Sequence, residues 1–169
     1  LGADAKERLH EARMHWKQRE HPDAFHAYER ALIAVYEAAL PSLKASEFDK
    51  TVKEIVNEYK GQTYTYTREL VTRLKQNKYV LLAISGSHEE LVKAIAKEYG
   101  FHDWIGSKYV RKDDAFTGES EIASFDKRSH LQKLIEKHSL TLEDSYAVGD
   151  SLSDAPMLAM VTHPIAFNP

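Results

Sequence analysis

Over the first 77 residues apolar side chains recur with helical spacing, and no strand-like alternation interrupts them. Tyr28, Leu32, Val35, Tyr36 and Ala39 fall at i, i+4, i+7, i+8 and i+11, one face of a helix that Pro41 stops. Phe48, Val52, Ile55, Val56 and Tyr59 make a second such face, with Ser46 and Asp49 spaced as a capping box and Gly61 at its end. A third helix carries Leu70, Val71 and Leu74, with Asn77 as its C-cap. Ahead of these lies a polar, histidine-rich helix from about Asp4 to Arg19. The pattern predicts a small helical bundle.

From Lys78 the period changes. Tyr79–Ile84 is a continuous apolar run, as expected of a parallel strand covered on both faces. A helix with Leu91, Val92, Ile95 and Tyr99 follows, closed by Gly100. A strand is expected over Trp104–Val110 and a turn or hairpin over Asp113–Gly118. Lys127–His138 reads as a helix with Leu131, Leu134 and Ile135 inward. Then come a strand at Tyr146–Val148, a helix around Pro156–Met160 and a last strand at Ile165–Phe167. Strand alternates with helix, so the class is α/β with a mostly parallel sheet. Two domains are expected, 1–77 helical and 78–169 an α/β core.

Composition narrows the function classes. A chain of 169 residues fits one domain, or one with a small insert. With 43% hydrophobic and 29% charged residues it has ordinary globular composition, and a net charge of −3 gives no footprint for nucleic acid. There is no cysteine, which excludes disulfides and thiolate metal sites. No apolar run reaches the length of a membrane span and no leader is visible, so the expected compartment is the cytoplasm.

Three segments should end at one edge of the sheet. Tyr146–Gly149 runs into Asp150, with Asp154 four residues on; two acids at the carboxyl edge of a parallel sheet suit a hard cation such as Mg²⁺, or are a turn residue and a helix N-cap. Ser85, with the N–H groups of Gly86 and Ser87, could hold a phosphate at a helix start, or Ser87 and Glu90 could form a plain capping box. Lys127 opens a helix, where the dipole disfavours a cation; it faces a phosphate or is a solvated surface lysine.

In this order and spacing the segments resemble the haloacid dehalogenase superfamily, in particular its phosphoserine-phosphatase-like branch. Phe116–Glu119 and the ending Pro164–Pro169 are similar to that branch too. The resemblance covers 79–169 and implies a Rossmann-like core with an α-helical cap. It implies Ser85 and Lys127 as catalytic phosphate ligands, aided by Gly86 and Ser87, and Asp150 as a Mg²⁺ ligand. Asp154 would be a ligand or orient the metal's shell. The implied reaction is hydrolysis of a small phosphorylated metabolite through an aspartyl-phosphate.

One departure is large. The family's first signature, an apolar strand ending in Asp-X-Asp-X-Thr, does not occur before the helical half; Leu1–Asp4 has one acid and no strand ahead of it. A sheet without that strand would leave two buried-type strands with unpaired backbone groups. The expectation is therefore a truncated chain that holds phosphate but cannot attack it. The alternative is a nucleophile-free phosphate-binding or regulatory module. Of nine histidines, His10 and His15 stand five apart and miss the i, i+4 zinc pairing, while His88 lies beside the phosphate loop and could touch substrate.

Overall fold

The computed structural model describes residues 3–167. Four helices come first: α1 (Ala3–Lys17), α2 (Ala24–Ala39), α3 (Ala45–Tyr59) and α4 (Thr65–Gln76). Then follow β1 (Leu82–His88), α5 (Glu89–Glu98), β2 (Asp103–Lys112), β3 (Ala115–Glu121), α6 (Lys127–His138), β4 (Tyr146–Gly149), α7 (Ala155–Leu158) and β5 (His163–Ala166). Short 3₁₀ turns stand at Leu40–Ser42, Ala123–Asp126 and Leu152–Asp154. The class is mixed α/β, mostly helical, with parallel strand pairs. No described helix is long and apolar enough to cross a membrane.

The chain forms two compact units. The first runs through Glu47 and takes in Val110–Glu119. Within it Trp16 of α1 stacks on Tyr28 of α2 at 5.2 Å and meets Phe25 edge-on, which pins the two helices together. Ser46 is not the cap the sequence suggested. Helix α3 already begins at Ala45, and the Asp114 carboxylate accepts the Ser46 amide at 2.8 Å and its hydroxyl at 2.9 Å. An acid distant in sequence thus serves that helix start.

The second unit comprises Phe48–Tyr109 and the chain from Ser120 on. Its first strand starts later than the apolar run implied. The Tyr79 amide donates to the Leu74 carbonyl at 3.0 Å and Lys78 adopts φ 61°, so the closing motif of α4 consumes both residues. Strand β1 then pairs with β2 in parallel, Leu82 opposite Asp103 and Ile84 opposite Ile105. Strand β3 lies beyond β2, and β4 pairs in parallel with β5, Tyr146 opposite His163.

Among the described residues nothing pairs β1 with β4. Both strands line a single cavity of about 540 Å³, walled by Leu82, Ile84, Leu91, Leu131, Tyr146 and Val148. The consequence is visible in burial. Leu82–Ser85 are only half-buried, and Val148 is 36% exposed, although their sequence reads as core strand. Among the described residues each of these two strands has one paired edge and one edge without a ladder partner.

Candidate active site

At the end of β1 the ladder breaks. Ile84 faces Ile105 and His88 faces Ser107, so four steps along β1 match two along β2, and Ser85–Ser87 bulge out. The Ser85 hydroxyl accepts the Ser87 amide at 3.1 Å. The capping box from Ser87 to Glu90 does not form, because β1 extends to His88 and His88 is the N-cap of α5. Gly86 is required here: a Cβ on it would come within 2.8 Å of Ser124 Cβ. Ser124 is buried against this bulge, and its hydroxyl has no hydrogen-bond partner among the described residues.

Ser124 belongs to the turn that delivers Lys127. Asp126 caps α6 by accepting the Ser129 amide at 3.1 Å. Lys127, at the first position of α6, is only 8% exposed, which removes the reading of a solvated surface lysine. Its ammonium bonds the Asp154 carboxylate. The unfavourable helix dipole is therefore offset by a specific acid.

That acid is fixed with unusual completeness. Asp154 Oδ2 accepts the amides of Asp150 at 3.0 Å and Ser151 at 2.9 Å, and the Ser151 hydroxyl at 2.8 Å, while Oδ1 takes Lys127. Gly149 makes room for the fold-back, since a Cβ there would stand 2.4 Å from Asp154 Cβ. Burial pushes the Asp154 carboxyl up, and the bonds from Lys127 and Ser151 outweigh it, so it is held below its ordinary value. Ser151 was missed in the sequence; its signal was the Ser-X-X-Asp capping box, formed in both directions.

Asp150 stands differently. It is exposed, and its own amide is what ties it to Asp154. Among the described residues no three carboxylate or imidazole groups gather as a metal cage. Mg²⁺ takes one or two carboxylates plus phosphate oxygens and water. Asp150 fits one such place; Asp154, with both oxygens already engaged, fits an orienting role and not direct ligation.

Lys127 and Asp154 thus meet directly, and Gly86 meets Ser124 three residues before Lys127. No bond among the described residues joins Ser85 to Lys127. His88 is a packed residue: 7% exposed, set between Phe48 at 4.2 Å and Tyr109 at 4.7 Å, its Nδ1 against Glu90. Tyr64 and Tyr66 lie against Phe167 and stay 64% and 47% exposed.

The family model for haloacid dehalogenase-like hydrolases matches residues 2–159. The phosphoserine phosphatase of Streptococcus thermophilus is 31% identical over 134 residues, 77% of this chain and 59% of that protein. That of Methanocaldococcus jannaschii is 27% identical over 131 residues, 76% of this chain and 59% of the relative. A phosphoserine phosphatase crystal structure in apo form shares the fold, with TM-score 0.60 and 21% identity over 91% of this chain and 75% of that one. The chain spans 32% to 59% of the length of the curated relatives it matches.

Proposed function

We propose, because this chain belongs to the haloacid dehalogenase-like hydrolase family and to its phosphoserine-phosphatase-like branch, that it serves Mg²⁺-dependent hydrolysis of a small phosphomonoester. The observation that carries the reading is the buried Lys127, a cation brought out of water against Asp154, whose carboxylate also holds the Asp150 amide at the end of β4. A buried ammonium with one carboxylate partner is placed to offset a second anion, and a phosphoryl group is the anion the family handles.

In this account Lys127, Ser85 and the amides of the bulge bind the phosphoryl oxygens and stabilise charge as it develops. Asp154 holds Lys127 and the backbone of Asp150 in register. Asp150 supplies a carboxylate to Mg²⁺, which when bound neutralises phosphate oxygens. The nucleophile is a carboxylate on an apolar strand seated in the cavity between β1 and β4. It attacks phosphorus, the ester P–O bond breaks, the alcohol leaves with a proton, and water then hydrolyses the aspartyl-phosphate. Residues 1–77 carry the substrate-selecting role of a cap, and 78–169 the phosphate-binding role of the core.

The test is Asp150→Asn in the protein carrying that strand. An exposed side chain can change without loss of fold, and an amide is a poor ligand for a hard cation. Mg²⁺-dependent turnover of p-nitrophenyl phosphate is expected to fall at least ~10²-fold, with an unchanged thermal midpoint. Unchanged turnover at equal Mg²⁺ would remove Asp150 from the metal site.

A further inference from the structure

The bulge and the Lys127 turn lie on separate segments, and one side chain touches both. Ser107 of β2 is fully buried, at 0% exposure. Its hydroxyl donates to the Gly86 carbonyl at 2.7 Å and accepts the Ala123 amide at 3.1 Å. Gly86 is the centre of the bulge, and Ala123 opens the 3₁₀ turn that ends at Lys127.

The need for such a link follows from the broken ladder. Where β1 bulges, its register with β2 breaks, and the Gly86 carbonyl takes the Ser107 hydroxyl. Backbone carbonyls and amides withdrawn from water cost free energy unless they are bonded. A hydroxyl is a small neutral group that donates and accepts at once. Ser107 therefore bonds both groups with one atom and fixes the distance between the two segments. The contact of Gly86 with Ser124 presses the same surfaces together.

We infer that Ser107 is a positioning residue for phosphate binding: its hydroxyl locks the β1 bulge to the turn of Lys127, so that both present their donors to one phosphoryl group. It touches no substrate. The inference rests on the phosphate-binding reading of this edge.

The experiment is an NMR titration of the chain with inorganic phosphate, comparing the unaltered protein with Ser107→Ala, Ser107→Cys and Lys127→Ala. It is run at a temperature where circular dichroism shows each variant folded. Ser107→Ala leaves the Gly86 carbonyl and Ala123 amide without their shared partner; Ser107→Cys keeps the size and a weak donor. Phosphate affinity is expected to fall about tenfold in the alanine variant and less in the cysteine variant. The Ala123 amide is expected to exchange faster with solvent in the alanine variant. If Ser107→Ala is folded and binds phosphate as the unaltered chain does, while Lys127→Ala loses binding, the positioning role is wrong and the site reading stands. Should Ser107→Ala fail to fold, wild-type affinity in a folded Ser107→Cys with a fast-exchanging Ala123 amide overturns it equally. If the unaltered chain shows no phosphate-dependent shifts, the site reading fails and the inference with it.

Discussion

Lys127 and Asp154, 27 residues apart, form an ion pair in which both side chains are buried, at 9% and 6% exposure. The pair joins the start of α6 to the loop after β4. It also sets how the site responds to mutation, because neither partner can relax into water when the other is lost.

Lys127→Ala therefore has two effects. It strands a buried carboxylate, and stability is expected to fall by about 3 kcal/mol. On the proposed function it also removes the cation that would face the phosphoryl group, with an expected loss of roughly 10²-fold in turnover in the protein bearing the nucleophile strand. Adding Asp154→Asn should recover part of the stability and none of the turnover. Urea unfolding and p-nitrophenyl phosphate hydrolysis separate the two. Lys133 of the same helix is exposed, and its alanine variant serves as the control expected to leave both unchanged.

Acid stability has a second origin, at the start of β2. The Asp103 carboxyl is pushed up by burial, but bonds from Lys137 at 2.7 Å and His138 at 2.6 Å outweigh this and hold it at about 2, against an ordinary 3.8. A carboxyl depressed in the folded state contributes stability above its ordinary value and loses it as pH falls toward the folded one. Between pH 3.8 and about 2 the unaltered chain should lose stability more steeply than Asp103→Asn, which should start lower at neutral pH. Denaturant midpoints across that range check the sign; parallel curves would contradict it.

Much of this was legible in the sequence, for a physical reason in each case. Lys127 stood out as a cation where a helix dipole prefers acids, and Gly149–Asp150 as a glycine and acid at a strand end. Periodicity located α2, α4, α5 and α6 because one face of each is apolar. What sequence could not show was which groups pair. Asp114 serving Ser46 and Ser107 bridging Gly86 to Ala123 are contacts between distant segments, with no local pattern to mark them. The division of labour between Asp150 and Asp154 was likewise hidden. It depends on a fold-back that Gly149 permits, and only then is one acid saturated and the other left at the surface. The start of β1 was misjudged because Tyr79 and Val80 are as apolar as a strand, yet the closing motif of α4 claims the backbone first.

The cavity between β1 and β4 is the feature on which the catalytic account turns. Among the described residues it presents two strand edges without a ladder partner and apolar walls, and in the function proposed above it receives one extended apolar strand. The most direct measurement adds to the chain, in trans, a synthetic apolar peptide ending in Asp-X-Asp-X-Thr, and follows thermal midpoint and Mg²⁺-dependent p-nitrophenyl phosphate hydrolysis together. The chain alone should bind phosphate without turning over ester. With the peptide the midpoint should rise and hydrolysis should appear; with the peptide's first Asp replaced by Asn, the midpoint should still rise and hydrolysis should not. Turnover by residues 1–169 alone, or a peptide that leaves both readouts unchanged, would contradict the account.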